Sequence, residues 1–168
     1  MDGASPVAAD RESAVGQADQ IELRLWLRLL TCASLIERDV RARLAREFAT
    51  TLPRFDVLAQ LDRAPAGLTM GELSGRLMVS NGNVTPLVGR LARDGLVARE
   101  PNPDDRRRSR VRLTPAGKRA FDAMTPAHAR WIEAAKRGMA RADKAKLLAL
   151  LGRLKLSAQA PPAPARPR

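Results

Sequence analysis

Apolar residues recur at helical spacing through the first ordered part of the chain. One line of them is Leu23, Trp26, Leu27, Leu30, Ile36, Val40 and Leu44, and a second is Ile21, Leu25, Leu29, Cys32 and Leu35. The spacing predicts one long helix over residues 19–48, with apolar groups on more than one face in its first half. A second apolar face on a helix of so small a chain predicts a partner helix from another subunit.

Shorter amphipathic segments follow. The stretch "LPRFDVLAQLDRAPAG" begins with Pro53 and ends in a Pro/Gly break, which predicts a second helix. Thr69 and Glu72 have the spacing of a capping box and predict the start of a third helix. Ser80 is a good N-cap for a fourth helix that closes at Asp94-Gly95. Pro86 lies too deep in that helix for a first-turn proline, so we expect the helix to start late or to bend.

The remaining chain predicts a β-hairpin and two more helices. "LVAREPNPDDRRRSRVRLT" alternates weakly around a turn, and Thr114-Pro115 resembles an N-cap followed by an N1 proline. Pro126 either kinks or ends the helix that follows, with Trp131 and Ile132 on its apolar side if it continues. "RADKAKLLALLGRLKL" is a strong amphipathic helix. The fold class predicted is mainly α with a small β-hairpin.

Both ends of the chain are expected to lie outside the core. Residues 1–18 are small, polar and aperiodic, and residues 157–168 form a Pro/Ala-rich tail that we expect to be disordered. The first residues lack the basic and apolar regions of a secretory signal, and no apolar run approaches the ~20 residues that span a bilayer. These features favour a soluble, cytoplasmic protein with no membrane partner.

Charge narrows the class of partner. The chain has 30 Lys and Arg against 18 Asp and Glu, for a formal charge of +12. Eleven of the basic residues and four of the acidic ones fall between Arg76 and Arg119, so that this quarter of the chain holds +7. A basic excess concentrated in this way predicts a polyanionic partner, whereas a genomic bias towards arginine would be spread evenly.

Two short helices followed by a hairpin predict a winged helix-turn-helix that binds double-stranded DNA. Small polar residues of the second helix can enter a major groove, while arginines on both helices can meet phosphates. Arginines at the hairpin tip can reach a minor groove, with the neighbouring aspartate holding one of them in place. The predicted DNA-binding residues are Arg76, Ser80, Asn81, Asn83, Thr85, Arg90, Arg93, Asp105, Arg106, Arg107 and Arg108.

The segment from Leu68 to Gly117 resembles the core of the MarR family of bacterial winged-helix regulators. The resemblance rests on a "GLV.R" strand, then Asp105-Arg106-Arg107, and later Leu113-Thr114 and Gly117, and it covers roughly residues 20–156. It implies a homodimer with interlocking terminal helices, here 19–48 and 115–156, around a DNA-binding lobe at 53–114. It also implies that Asp105 pairs with Arg106 or Arg107, and that a small ligand releases the DNA. Pro86 departs from the family pattern, which has a polar or small residue in the recognition helix, and so removes a possible DNA-contacting side chain at that position.

The effector is predicted to be an aromatic acid or its CoA thioester. "TMGELSGRLMVSNGNVT" looks like family members that respond to hydroxycinnamate-type compounds. A flat apolar wall and a carboxylate partner are available on the first helix, so that the candidate ligand-binding residues are Trp26, Arg28, Leu29, Cys32 and Phe55. The alternative is that Trp26 packs in the dimer and Arg28 is solvated.

Other classes fit the sequence less well. Cys32 could sense peroxide, but its apolar neighbours favour a buried structural thiol. His128 has no second ligand at metal-binding spacing, and no phosphate loop, nucleophile elbow or paired carboxylates suggest an enzyme. A basic membrane-surface helix remains an alternative for residues 141–156. The hypothesis is therefore a homodimeric, sequence-specific transcriptional regulator that needs no cofactor or metal. In its simplest form it is a repressor that binds an inverted-repeat operator and is released by a ligand. The alternatives are a regulator without a ligand and a regulator controlled by oxidation of Cys32.

Overall fold

The computed structural model describes residues 21–102 and 105–159, with backbone alone at residues 102 and 105–108. The elements in chain order are α1 (Ile21–Phe48), α2 (Leu52–Asp62), β1 (Leu68–Thr69), α3 (Met70–Leu77), α4 (Asn81–Arg93), β2 (Val97–Asn102), β3 (Asp105–Leu113), α5 (Pro115–Ala134) and α6 (Arg141–Gln159). The predicted class, mainly helical with a small β wing, is confirmed. Two compact units are present, one ending at Ile132 and one beginning at Glu133.

Helix α1 divides into an exposed half and a packed half. Val40 and Leu44 are buried, whereas Leu25 and Trp26 are exposed, and Trp26 keeps 59% of its surface in solvent. The second half is also supported by ion pairs one turn apart, such as Arg43 with Asp39 at 2.8 Å. Only the second half of α1 therefore contributes to the core of its own unit.

The core of the first unit lies between helices α1 to α5 and the sheet. Its buried members are Val40, Leu44, Phe55, Val57, Leu58, Leu61, Leu68, Leu73, Val84, Val88, Leu91, Val97, Val111, Phe121, Met124, Ala127 and Trp131. Burial of each large aliphatic or aromatic side chain contributes roughly 1.5–3 kcal/mol, so this cluster is the main source of stability for the unit.

The sheet has one more strand than the sequence pattern predicts. Strand β3 lies in the centre, with β2 and β1 antiparallel on either side. Leu68 of β1 faces Val111 of β3, and both side chains are buried. Strand β1 was missed because its two residues precede the α3 capping box directly, which does form as predicted: the Thr69 side chain accepts from the amide of Glu72, and the Glu72 carboxylate accepts from the amide of Thr69.

The end of α4, the start of the wing and the start of α5 meet at the backbone of Leu96. The amide of Leu96 donates to the carbonyl of Leu91, and its carbonyl accepts from the amide of Thr114 at 3.1 Å. The Thr114 hydroxyl donates to the carbonyl of Gly95 at 2.6 Å and accepts from the amide of Gly117, so it caps α5 as predicted. A Cβ atom on Gly117 would lie 1.9 Å from the Leu96 oxygen, which makes glycine obligatory at this crossing.

Two prolines lie inside helices, and each follows a threonine. Helix α4 starts at Asn81 and contains Pro86, so the expected late start does not occur. Helix α5 continues through Pro126, and Trp131 lies on its buried side. In both helices the threonine before the proline donates its hydroxyl to the carbonyl four residues earlier, which adds a hydrogen bond next to the one that proline removes.

The second unit is dominated by α6, in which no residue is buried. Its leucines are exposed to different extents, from 38% for Leu147 to 74% for Leu148. The helix extends through Gln159, so residues 157–159 are helical rather than part of a disordered tail, since alanine and glutamine continue a helix until the prolines begin. The predictions for residues 1–20 and 160–168 lie outside the described residues.

We predict that Gly117→Ala destabilises the protein by at least about 3 kcal/mol, because the added methyl group overlaps the Leu96 carbonyl. Gly75→Ala is the matched control. It places the same methyl group on a helical glycine with nothing within 4 Å, and should stabilise by about 0.5–1 kcal/mol. Urea denaturation measures the free energy of unfolding of both variants. If Gly117→Ala is as stable as the parent, the close contact between residue 117 and the Leu96 carbonyl does not restrict the side chain.

Candidate nucleic-acid interface

Helices α3 and α4 form a helix-turn-helix with a tightly bonded turn. Met78 ends α3 in the left-handed conformation, and its amide donates to the carbonyl of Gly75. The next amide, of Val79, donates to the carbonyl of Ser74. Met78 itself is 84% exposed, because the left-handed residue points its side chain away from both helices. The turn therefore fixes the angle at which α4 leaves α3.

Helix α4 buries one side and presents the other. Val84, Val88 and Leu91 are in the core. The exposed residues include every candidate that the sequence assigned to this segment: Ser80, Asn81, Asn83, Thr85, Arg90 and Arg93. Ser80 is the N-cap by position, but its side chain makes no capping hydrogen bond. The predicted groove-facing residues of α4 thus lie together on one exposed surface.

Two arginines of this surface keep their positive charge uncompensated. Arg90 and Arg93 make no ion pair with a carboxylate among the residues whose side chains are described. Arg76, at the end of α3, is exposed. The Thr69 hydrogen bonds are the main cause of the lowered pKa of Glu72, and Arg110 and Arg76 lower this pKa by smaller amounts. The nearby Asp94 is instead held by Arg54 of α2 at 2.7 Å. The exposed surface is therefore positive where a phosphate backbone could approach.

The wing is anchored by arginines that sequence reasoning assigned to no role. Arg112 donates to the carbonyl of Pro65 at 3.1 Å and to the carboxylate of Glu100 at 3.2 Å. Arg110 donates to the carbonyl of Ala66 at 3.3 Å. Alternation along β3 could have identified these two residues, because they flank the buried Val111. They hold the wing to the loop before β1 and leave fewer arginines free for DNA than the charge count suggested.

The tip of the wing is described by its backbone alone. Residues 105–108 belong to β3, and Asp105 pairs with Asn102 across the hairpin after a bulge. The side chains of Asp105, Arg106, Arg107 and Arg108 lie outside the described residues, so their contact with DNA and the Asp105–arginine pair stay predictions.

A cavity of about 720 Å³ borders the same helix. Its walls come from α1, α2, the turn after α3, and α4. They include Glu37, Arg41, Asp56, Leu77, Val79, Asn83, Pro86 and Arg90. Glu37 and Arg41 are paired with each other. The cavity therefore combines apolar walls with an unpaired cation, Arg90, on the surface that presents Asn83.

Asp56 is the half-buried acid of this cavity. Desolvation raises its pKa above the ordinary value of 3.8; Arg41 lowers the pKa and Glu37 raises it by smaller amounts. His128 packs against Phe55 of α2, with ring centroids 4.5 Å apart and the rings tilted by 30°, and burial lowers the pKa of His128. Both groups are thus pushed towards their neutral forms by the packing of α2.

Comparison with known proteins identifies this arrangement. The MarR family profile matches residues 50–108. A MarR family transcriptional regulator from Silicibacter pomeroyi has 36% sequence identity and a TM-score of 0.73, with 86% of this chain and 100% of that chain covered. The uncharacterized HTH-type transcriptional regulator YkoM of Bacillus subtilis is 32% identical over 75% of this chain and 80% of its own length.

The chain belongs to the MarR family.

The family assignment confirms the winged-helix fold and the class of DNA-binding transcriptional regulators. Another relative, the transcriptional activatory protein BadR of Rhodopseudomonas palustris, is 33% identical over 67% of this chain; the match spans 65% of BadR's length. These relatives are regulators rather than enzymes. In the part of the chain that the structure describes, no group of three or more His, Cys, Asp or Glu could hold a metal ion. Among those same residues, no helix is long and apolar enough to cross a membrane.

The residues predicted to bind an effector do not converge within one chain. Phe55 is buried in the core, where its ring lies 5.4 Å from that of Phe121. Trp26 is exposed and lies fourteen residues before Val40, the first buried residue of α1, which is about 21 Å along the helix axis. Arg28 and Leu29 belong to the same outlying half of α1. The predicted pocket would therefore need a second protomer.

The expectation that Cys32 is a buried structural thiol is wrong for the protomer. Cys32 is exposed, because the half of α1 that contains it extends beyond the lobe. Its apolar neighbours Leu29 and Leu35 lie on the second apolar face of α1, which the sequence assigned to a partner helix, and a single chain leaves Leu35 half exposed. Apolar spacing alone does not distinguish these two environments.

We predict that Asp56→Asn stabilises the folded protein at pH 7. The folded-state pKa of Asp56 is raised, so folding disfavours the ionised carboxylate; this penalty begins as pH rises past the unfolded value of 3.8 and is complete above the folded pKa. The gain should therefore shrink as pH falls through 3.8 and vanish only well below it, where the carboxyl is protonated in both states. Asp62→Asn is the control, because Asp62 has an ion pair with Lys118 at 3.1 Å and should gain nothing. Thermal unfolding from pH 3.5 to 8 tests this, and a gain independent of pH would contradict it.

Proposed function

We propose that this MarR family member is a homodimeric, sequence-specific regulator that occupies an inverted-repeat operator as a repressor and is released from it by a small ligand. The observation on which the proposal rests is the exposed face of α4, where short polar side chains lie beside Arg90 and Arg93, two cations without a described carboxylate partner. Such a face suits a major groove, because the small side chains allow close approach and the arginines neutralise phosphates at its rims.

Homodimerisation is supported by the apolar surface of two helices, each considered by itself. Leu25 and Trp26 are exposed on α1, and Leu147, Leu151 and Leu154 form a line at i, i+4 and i+7 on α6. A monomer that leaves this much apolar surface in water would aggregate or associate. A two-fold dimer would present α4 twice, so the operator should be an inverted repeat with half-site centres about 10 bp apart.

Release by a ligand is supported by the position of the 720 Å³ cavity. Arg90 and Asn83 line it and also belong to the proposed DNA surface. An aromatic acid or aryl-CoA thioester could place its ring against Leu77 and Val79 and its anionic group near Arg90, which would then be lost to DNA. Trp26, Arg28 and the other residues predicted on α1 stay a second candidate site, formed only between protomers.

Repression is the simplest outcome of such binding, since a dimer seated on promoter DNA excludes polymerase. BadR, by contrast, is named an activatory protein. A reporter gene downstream of the operator, measured with and without this protein, decides the sign: repression raises expression when the protein is deleted, and activation lowers it.

We predict that Asn83→Ala and Arg90→Ala affect DNA binding differently. Asn83→Ala removes a side-chain amide that reads a base, so it should weaken binding to the operator by about 1–3 kcal/mol and change binding to a scrambled duplex little. The ratio of the two affinities should therefore fall. Arg90→Ala removes a phosphate contact and should weaken both duplexes in proportion. Fluorescence anisotropy at matched salt measures both, and the same titration with 4-hydroxycinnamate present tests release. The reverse pattern would mean that the arginine reads sequence.

We predict that Leu147→Asp combined with Leu151→Asp dissociates the dimer and abolishes operator binding together. The two changes place buried charge in the proposed interface, which is strongly unfavourable. Ala149→Asp is the control, since it adds an aspartate on the other side of α6 and should leave the dimer intact; the single variant Leu151→Asp matches it in charge and should weaken the dimer. Light scattering reports the mass of each variant, and a double variant that stays dimeric would show that α6 is not the interface.

A further inference from the structure

The hydroxyl of Thr85 is engaged inside α4. Its Oγ1 donates to the carbonyl of Asn81 at 3.0 Å. Pro86, the next residue, has no amide hydrogen to donate within the helix. The bond from the Thr85 hydroxyl therefore lies beside a missing backbone hydrogen bond. With its proton committed, the exposed Thr85 side chain presents a methyl group and at most a lone pair to any external partner. Sequence reasoning had counted Thr85 among the polar base readers.

Pro86 extends this apolar surface. At 100° per residue, the core-facing positions Val84, Val88 and Leu91 define the inner side of α4, and Pro86 lies almost opposite them. Its ring is exposed. The outward face of α4 is therefore apolar at Thr85 and Pro86, between Asn81 and Asn83 at the start of the helix and Arg90 and Arg93 towards its end.

The backbone of α4 can come close to an external surface at this point. A Cβ atom on Gly82 would meet only the Ser80 hydroxyl, at 3.9 Å, and one on Gly89 would meet nothing within 4 Å. Packing within the protomer therefore requires neither glycine, although each weakens a helix relative to alanine. Both lie on the same outward side as Pro86, where the absent side chains make room for a partner.

We propose that the Thr85 methyl group and the Pro86 ring recognise thymine by contact with its C5-methyl group in the major groove. This inference rests on the proposed DNA binding and specifies what α4 reads. The C5-methyl is the apolar feature that distinguishes a T·A pair in that groove, and apolar side chains are its natural contacts. Asn81 and Asn83 then supply the hydrogen bonds to neighbouring base edges.

The test begins with duplexes that the full-length protein selects from a random-sequence pool. Each thymine of the selected site is replaced in turn by deoxyuridine, which removes the methyl group and keeps the hydrogen-bonding edge. At one or two thymines per half-site we expect affinity to fall about fourfold, as for the loss of one buried methyl group. Replacements outside the selected site are the control and should have no effect.

Protein variants assign the contact. In Pro86→Ala, the fourfold penalty for deoxyuridine should shrink at the contacted thymine, because the ring is gone and only the Thr85 methyl group still meets the thymine methyl group. Thr85→Val keeps the methyl group and should retain affinity, whereas Thr85→Ser keeps the hydroxyl and should lose about as much as deoxyuridine does. Loss in Thr85→Val with retention in Thr85→Ser, or deoxyuridine tolerated at every position, would overturn the proposal.

Gly82→Ala tests the close approach separately. The added methyl group fits within the protomer, so thermal stability should hold or rise while affinity for the selected site falls at least tenfold. Unchanged affinity would refute the close approach. If the protein selects no sequence from the pool, the proposed DNA recognition is refuted. If it selects a site but the thymine methyl groups of that site have no effect on affinity, only the thymine contact is refuted.

Discussion

The backbone of Leu96 is the point on which the geometry of the DNA-binding lobe depends. Three elements converge there. The Leu96 amide donates to the last turn of α4, and strand β2 of the wing begins at the next residue. The start of α5 packs against the Leu96 carbonyl, which accepts from Thr114 and leaves no room for a side chain on Gly117. A backbone carbonyl that accepts the Thr114 amide while touching the Cα of Gly117 leaves no room for adjustment. The recognition helix and the wing are therefore positioned by the same few atoms, and a shift in one must move the other.

Arginine is used in two distinct ways in this lobe. Arg110 and Arg112 turn back from β3 and satisfy carbonyl groups of the loop before β1, so their charge stabilises the wing. Arg90 and Arg93 project from α4 without a described acidic partner. Counting basic residues along the sequence does not distinguish an arginine that stabilises the wing from one that is exposed, because this depends on the side of the strand or helix that the residue occupies.

Much of the fold follows from local signals in the sequence. Local chemistry determines where α3 and α5 begin, through the capping box of Thr69 and Glu72 and the cap by Thr114. It also determines which side of α6 is apolar, through the spacing of the leucines. Strand β1 does not follow, because two residues acquire strand character only by pairing with a segment more than forty positions away. The exposure of Cys32 and the internal bond of Thr85 were missed for a related reason. Spacing gives the direction of a side chain but not what lies opposite it, nor which of its atoms is already engaged.

The absence of any buried residue in α6 ties the state of this helix to the abundance of the protein. Most helical stability in proteins comes from packing of an amphipathic face, so the leucine side of α6 must find a surface beyond its own unit to be stabilised in this way. If that surface is a second copy of the chain, mass action makes folding of α6 depend on concentration, and dilution favours unfolding. A cell that makes little of this protein would then expose α6 to proteases, and turnover would remove unpaired chains before they could compete for DNA.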